Sequence, residues 1–240
     1  MPLNSTSRVV VLGGTSGIGL ATAAAATATG AAVVIGSRNP VSVESALAQL
    51  PAGVVGRTVD AASTDSLAEF FDRVGEFDHF AYTAAENLVP LPLADYTPER
   101  GQAFLALRLV YAFEAIRLAV PHIRAGGSIT MTSGTAAYRG GAGWLLGSAA
   151  SGATISAARS LAVELAPIRV NVVAPGLVRS PLWSKLPEAE REGMFRTAGD
   201  ALPLGRVAEV EDVAKAYIQL MDQDYATGTV SVIDGGALAI

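Results

Sequence analysis

Short apolar runs rich in β-branched residues alternate along the chain with longer segments of helical periodicity. Runs of this length and composition predict strands. The predicted strands are Val9–Leu12, Ala32–Ile35, 54–59, 79–83, 128–132, 169–174 and 229–233. Continuously apolar strands separated by helices predict a parallel sheet that is covered on both faces. The expected fold class is therefore α/β, a doubly wound parallel sheet of about seven strands with helices on both faces.

The clearest helical pattern covers residues 63–75. Four apolar residues between Leu67 and Val74 are spaced i, i+3, i+4 and i+7, and Ser63 or Thr64 can serve as the N-cap. This spacing predicts one buried face. Three further helices are predicted at 97–124, 142–166 and 209–222.

Residues 176–207 form the least regular segment, with prolines concentrated between positions 175 and 203. In a parallel sheet, such a segment is expected to overhang the carboxyl ends of the strands as a lid. A length of 240 residues is typical of one α/β domain, so residues 1–240 are predicted to form a single unit.

Composition narrows the classes of partner. Half of the residues are hydrophobic, 16% are charged and the net charge is −5, without any block of like charge. Nucleic acid and membranes are therefore not expected as partners. A small-molecule substrate is the expected partner. Without cysteines, and with only His79 and His122 as histidines, no metal site is predicted. The expected localisation is cytoplasmic.

A glycine-rich loop follows the first predicted strand and opens a helix. Glycine at 13 permits a tight turn, Gly17 lets backbone amides approach a pyrophosphate, and Gly19 allows close packing of helix on strand. Thr15, Ser16 and Ile18 complete the loop. This context predicts a dinucleotide-binding site, with the phosphates at the helix N-terminus.

The end of the second strand predicts which coenzyme is bound. Arg38, with Ser37 beside it, stands where a dinucleotide fold meets the adenosine ribose, and a guanidinium suits a 2′-phosphate. NADP(H) is therefore expected rather than NAD(H), although a solvated surface arginine would look the same in the sequence. Asp60, followed by Ala61, is placed to accept from the adenine amino group or to form a simple turn.

With further motifs, the chain resembles the short-chain dehydrogenase/reductase family over almost its whole length. The motifs are the loop at 13–19, the stretch Arg169-Val170-Asn171 to Pro175-Gly176, the stretch 203–206 leading to 211–214, and the closing 234–236. The resemblance implies a Rossmann-type fold, a nicotinamide coenzyme, hydride transfer to or from a carbonyl, and a homodimer or homotetramer built on the two long helices.

The resemblance also assigns further coenzyme contacts. Val178 and Ser180, just after Pro175-Gly176, would approach the nicotinamide carboxamide. Ala84 and Ala85 belong to the stretch Tyr82-Thr83-Ala84-Ala85, which stands where the family has asparagine-asparagine-alanine-glycine after the fourth strand.

The chain departs from the family at its usual catalytic positions. The family's chemistry uses a tyrosine and a lysine four positions later, but neither Lys185 nor Lys215, the only lysines, follows a tyrosine at that distance. Counting back from 162–167 places Gly147 and Ser151 at the two positions. Arg108 stands at the family's helical asparagine, and in Ser133-Gly134 the glycine is the nearer equivalent of its substrate-orienting serine.

These residues favour an NADP(H)-dependent reductase that works without the tyrosine-lysine pair on a C=O, C=N or C=C substrate. An iminium ion depends least on a proton donor, because it already carries its charge and accepts hydride without being protonated at the same time. The candidate catalytic residues are Arg108, Ser133 and Tyr138, with Tyr82 as another donor. These candidates have alternative roles: a tyrosine in a loop can serve packing instead of catalysis, and Arg108 can pair with Glu114 or with an acidic residue of a second subunit. Trp144 and Trp183 can line the pocket or pack in a core or interface.

A catalytically silent NADP(H)-binding sensor or partner subunit is the alternative function. An α/β hydrolase is disfavoured because no Gly-x-Ser-x-Gly elbow occurs in the chain.

Overall fold

The computed structural model describes residues 2–240. The strands are β1 (Arg8–Leu12), β2 (Ala32–Ser37), β3 (Val55–Thr58), β4 (Phe77–Tyr82), β5 (Ile123–Thr132), β6 (Arg169–Pro175), β7 (Val178–Arg179), β8 (Ala208–Glu209) and β9 (Val230–Ile233). The α-helices are α1 (Gly17–Ala28), α2 (Pro40–Leu47), α3 (Thr64–Val74), α4 (Pro98–Leu105), α5 (Tyr111–Ala119), α6 (Leu145–Glu164), α7 (Glu188–Ala201) and α8 (Val210–Asp222).

Seven strands form one sheet in the order β3-β2-β1-β4-β5-β6-β9, and every neighbouring pair is parallel. The chain builds outward from β1 to β3 and then returns past β1 to β4, so the strand order reverses beside β1. The predicted α/β fold class with a doubly wound parallel sheet is confirmed. Strands β7 and β8 form a separate parallel pair.

Both faces of the sheet are covered, as the apolar strands require. On β1, Val10 and Leu12 belong to the core shared with α3, α5 and α6, whereas Val9 and Val11 belong to the core shared with α1 and α8. Adjacent strand residues point to opposite faces. Because all four side chains are buried, neither face of the central strand meets solvent.

Helix α3 follows its sequence pattern closely. Its four periodic apolar side chains from Leu67 to Val74 are all buried. The Ser63 hydroxyl accepts a hydrogen bond from the Ser66 amide at 3.3 Å and caps the helix. Phe71 packs edge-to-face on Phe80 of β4, with ring centroids 5.5 Å apart, and so joins the helix to the sheet.

The long helix predicted at 97–124 is wrong in its extent. The structure has α4, then a π-helical turn at Ala106–Val110, then α5 and a 3₁₀ turn at Val120–His122. Proline cannot continue a helix, since it lacks the amide hydrogen, and Pro121 falls in this closing turn. Strand β5 then begins at Ile123, five residues before the predicted start at 128.

Residues 176–207 are more regular than the sequence suggests, because they contain α7. This helix is rich in charged residues, and only Phe195 and Gly199 on it are buried. Phe195 packs with Trp183 and Val207 in a small core separate from the two faces of the sheet. With so few apolar residues at helical spacing, the sequence does not predict this helix.

Several apolar side chains stay exposed on the helices predicted to mediate self-association. Val110 is 61% exposed, Phe113 40% and Val163 80%. Assembly into a dimer or tetramer stays a prediction. Within residues 2–240, no helix is long and apolar enough to cross a membrane.

A neutral histidine lies in the middle of the sheet. His79 on β4 is fully buried, and its Nδ1 lies 2.9 Å from the Ser128 hydroxyl on β5. Burial lowers the pKa of His79 to about 4, with the positive charge of Arg169 adding to the effect and Asp78 opposing it. The folded protein therefore keeps this imidazole neutral at neutral pH.

The free energy of unfolding should fall as the pH drops from 6.5 through about 4, because the unfolded chain binds a proton on His79 that the folded chain does not. A shift of this size corresponds to about 3 kcal/mol. Urea unfolding at a series of pH values would measure it. His79→Gln should flatten the profile in this window; a slope unaffected by His79→Gln would contradict the assignment.

Candidate functional site

A continuous depression runs along the carboxyl ends of β1, β4, β5 and β6. It consists of an open groove of about 620 Å³ and an adjoining apolar cavity of about 480 Å³. Both fall in the size range of small-molecule sites. The walls shared by groove and cavity are Ile18, Thr83, Ala84, Ala85, Thr132, Ser180 and Leu182. Ligands of open α/β sheets bind at this position, beside the reversal in strand order.

The glycine loop is too tightly packed for side chains at two positions. Gly13 has φ +90°, and a Cβ there would lie 2.6 Å from the Ala84 nitrogen. A Cβ on Gly19 would lie 2.2 Å from the Gly13 carbonyl oxygen. These distances are far below van der Waals contact, so glycine allows the first turn of α1 to rest directly on the loop.

The N-terminus of α1 has no protein cap. The Ser16 side chain makes no capping hydrogen bond, and the first turn carries no acidic residue. Among residues 2–240, no acceptor takes the amide hydrogens of Gly17, Ile18 or Gly19. These residues line the groove, where unpaired amides and the helix dipole suit an anion.

The structure gathers most of the predicted coenzyme-binding residues in the groove. These are Gly13, Thr15, Ser16, Gly17, Ile18, Gly19, Ser37, Arg38, Asp60, Ala61, Ala84, Ala85 and Ser180. Pro175, Gly176 and Val178 line the neighbouring cavity instead. Residues as distant in sequence as Gly13 and Ser180 thus lie along one continuous surface.

The far end of the groove carries a free cation. Arg38 follows β2, is exposed, and has no ion pair or hydrogen bond with any residue in 2–240. Asp60, which follows the neighbouring strand β3, also lines the groove, and its Oδ1 accepts from the Ala62 amide at 3.0 Å. The guanidinium of Arg38 is therefore available to an anionic ligand.

Lys185 was not among the predicted site residues. This exposed lysine belongs to the irregular segment, lines the groove, and has no ion pair within the described chain. Its place in the predicted lid, as one of only two lysines, was the available signal. Asn87, also missed, lines the groove and donates to the Ser184 hydroxyl at 3.2 Å.

The cavity is mainly apolar. Trp144 and Trp183 both form part of its wall and pack edge-to-face, with ring centroids 6.0 Å apart. Further apolar walls come from Leu88, Phe104, Leu177, Leu182 and Met194. Several of these side chains belong to the segment 176–207, which therefore covers one side of the cavity.

The positions counted from the family pattern also meet at the cavity wall. Gly147 and Ser151 lie one turn apart on α6, and both line the cavity. The Ser133 hydroxyl donates to the Ser151 carbonyl oxygen at 2.9 Å. A Cβ on Gly134 would lie 3.4 Å from the Ser151 hydroxyl. No side chain longer than that of serine reaches the cavity from these four positions.

Arg108 reaches the cavity from the π-helical turn between α4 and α5. Its guanidinium lies 4.2 Å from the centre of the Phe104 ring and donates to the Glu86 carbonyl oxygen. The pairing with Glu114 considered from the sequence is wrong, because Glu114 pairs with Arg117 at 2.7 Å. A π-turn places one extra residue in the helix, and such turns are frequent at functional sites.

Tyr82 supports this π-turn. Its hydroxyl donates to the Leu107 carbonyl oxygen at 2.6 Å, and burial raises the pKa of Tyr82 above its usual value. The hydroxyl hydrogen is thus held by the backbone and is hard to remove. Tyr82 lines the cavity but has the properties of a structural anchor.

Tyr138 does not join the other candidate catalytic residues. It follows the 3₁₀ turn Thr135–Ala137, is 50% exposed and does not belong to the cavity wall. The next residue, Arg139, lines the cavity and donates to the carbonyl oxygens of Ala237 and Ile240. Arg108 and Ser133 therefore both line the cavity, and Tyr138 lies outside it.

Comparisons with known proteins agree with this architecture. A family model described as enoyl-(acyl carrier protein) reductase matches residues 13–237. The short-chain dehydrogenase/reductase ATR9 of Stachybotrys chlorohalonatus is 35% identical over 253 residues, covering 99% of both chains.

Two solved structures are similar over nearly the whole chain. The MalC reductase/Diels-Alderase from Malbranchea aurantiaca is 31% identical with a TM-score of 0.91, covering 99% of this chain and 98% of that one. The NADPH-bound short chain oxidoreductase from Pseudomonas aeruginosa PAO1, described as containing an atypical catalytic center, is 25% identical with a TM-score of 0.89, at the same coverage. With its parallel sheet and glycine loop, the chain belongs to the short-chain dehydrogenase/reductase family of oxidoreductases.

Proposed function

We propose that the protein is an NADP(H)-dependent oxidoreductase that transfers hydride between a coenzyme in the groove and a small organic C=O, C=N or C=C substrate in the cavity. The observation that carries the proposal is the shared wall, which would bring two ligands into contact. The NADPH-bound Pseudomonas relative with an atypical catalytic center and the reductase from Malbranchea support it by likeness.

The groove residues fit a phosphorylated dinucleotide. The unpaired amides of Gly17, Ile18 and Gly19 would bind its pyrophosphate, and Arg38 with Ser37 would bind a 2′-phosphate. Asp60 would meet the adenine. When bound, NADPH supplies a hydride from its nicotinamide, which Pro175, Gly176, Val178 and Ser180 would hold beside the cavity.

The cavity wall contains no side chain suited to donate a proton near neutral pH. Within the described chain, no Asp, Glu, His or Lys lines the cavity. Among the hydroxyls on the wall, those of Tyr82, Thr83, Thr132, Ser133 and Thr154 donate to backbone carbonyl oxygens. The remaining ones, on Thr135, Ser151 and Ser180, are aliphatic alcohols, which do not ionise near neutral pH. We therefore assign the proton to water and the stabilisation of a developing oxyanion to Arg108, with Ser133 as a second hydrogen-bond donor after rotation of its hydroxyl.

Deuteride transfer would test the proposed reaction. NADPH carrying deuterium at the nicotinamide C4 is incubated with panels of imines, conjugated enones and ketones, and the products are analysed by mass spectrometry. At least one class should gain one deuterium and consume NADPH. If calorimetry shows NADPH binding but no class is reduced, the protein is the silent coenzyme-binding alternative and the proposed reaction is wrong.

Arg38 should determine the choice of coenzyme. Arg38→Gln is expected to weaken NADPH binding at least about tenfold while leaving NADH binding unchanged, because only NADPH carries the 2′-phosphate. Calorimetry with both nucleotides measures the change. Arg159→Gln, at an exposed arginine on α6 away from the groove, serves as the control. An equal loss for both nucleotides would count against a 2′-phosphate contact.

Lys185 should bind the pyrophosphate, which NADPH and NADH share. We expect Lys185→Gln to weaken NADPH and NADH alike, by about threefold to tenfold, since an exposed lysine contributes a modest attraction to a pyrophosphate. Lys215→Gln is the matched control, because Lys215 is the other lysine and lies on α8 outside the groove. If Lys185→Gln and Lys215→Gln bind the coenzymes with equal affinity, Lys185 does not contact the coenzyme.

A further inference from the structure

The cavity carries positive charge within an acidic protein. The chain has a net charge of −5, yet the charged side chains on the described cavity wall are Arg108 and Arg139, both cationic. Charge of one sign beside low-dielectric walls raises the local concentration of ligands of the opposite sign. A cationic substrate without a compensating anion, such as a simple iminium ion, would be repelled here.

Arg108 has hydrogen-bonding capacity to spare. A guanidinium has five N–H donors, and one of them is used on the Glu86 carbonyl oxygen. No carboxylate of residues 2–240 lies within 4.0 Å of it. The exposed Glu86 carboxylate and the Tyr82 hydroxyl act on it only at longer range. Burial lowers the pKa of Arg108, but an arginine remains protonated in proteins.

The guanidinium is also held in position. The Phe104 ring supports one face, and the Glu86 carbonyl oxygen accepts from Nη2. Tyr82 fixes the adjoining π-turn through the Leu107 carbonyl oxygen. A pre-positioned guanidinium loses little conformational freedom on binding a carboxylate.

We propose that Arg108 is the anion-binding residue of the cavity, and that the substrate is a largely apolar molecule bearing one carboxylate or an oxygen of similar acidity. The donors that Arg108 does not use on Glu86 would bind this acidic group beside the oxyanion that develops during hydride transfer. The inference rests on the proposed function for the meaning of "substrate", but the binding preference itself needs no coenzyme. The apolar part would lie against Trp144, Trp183 and Met194. A cavity of about 480 Å³ admits a molecule of one or two rings with its acidic group.

Tryptophan fluorescence offers a direct measurement. Trp144 and Trp183 are the only tryptophans in the chain, and both line the cavity, so any change in emission reports on its occupant. The probes are 4-phenylbutyrate and its neutral isostere 4-phenylbutyramide, which do not absorb where tryptophan can be excited selectively. The carboxylate should bind at least about tenfold more tightly than the amide, as expected for a charge-assisted hydrogen bond.

Substitutions assign the preference to one residue. Arg108→Gln should abolish the preference for the carboxylate while leaving amide binding within about twofold, because the apolar walls remain. Arg108→Lys keeps the positive charge but loses the planar set of N–H donors of the guanidinium, so it should retain part of the preference for the carboxylate. Arg139→Gln is the matched control, since Arg139 also lines the cavity but is engaged by carbonyl oxygens near the C-terminus.

Two results would overturn the inference: equal affinity of the wild-type protein for both probes, or a preference that survives in Arg108→Gln, whatever the result for Arg139→Gln. Calorimetry with NADPH on the same samples separates this failure from that of the proposed function. Normal NADPH binding and hydride transfer in a cavity indifferent to charge would reject only the role of Arg108. A retained carboxylate preference without any NADPH binding would reject only the proposed function.

Discussion

The approach of helix α1 to the loop after β1 is the contact on which the site depends. Gly19 lies so close to the Gly13 carbonyl that any side chain would have to displace the helix. Alanines at 23 and 26 continue the close approach, because they bury the next turns of α1 against the sheet without holding it away. The amides at the start of α1 therefore point into the groove instead of being covered by a capping side chain.

The parallel sheet supplies the rest of the site by topology. Every strand of a parallel sheet delivers its following loop to the same edge, so the loops after β4, β5 and β6 converge on the one after β1. Thr83 donates to the Leu12 carbonyl oxygen at 3.0 Å and Thr132 donates to the Tyr82 carbonyl oxygen at 2.7 Å. These hydroxyls join neighbouring strand ends, so polar wall residues here stabilise the site's frame.

Periodicity and glycine spacing are local properties, which is why the sheet and the coenzyme loop could be predicted from the sequence. The π-turn at Arg108 could not, because the residues around it read as one continuous helix and the turn is held by Tyr82, which is distant in sequence. Helix α7 was missed because it buries few apolar residues. Tyr138 was a candidate because it is a phenol that follows the fifth strand, but the sequence carries no signal for the direction in which a loop side chain points.

If the proposed function holds, a single guanidinium has to substitute for a proton donor, and the magnitudes permit it. A positioned general acid contributes about 10²–10⁴-fold, which is about 3 to 5 kcal/mol of barrier. A unit charge about 4 Å from a developing oxyanion is worth a similar amount, about 4 kcal/mol, at the effective dielectric typical near a protein surface. A general acid and a guanidinium suit different substrates, because a guanidinium stabilises negative charge without giving up a proton. The favoured acceptors are therefore those whose negative charge can rest on oxygen until water protonates it, such as a carbonyl conjugated to the bond that takes up the hydride.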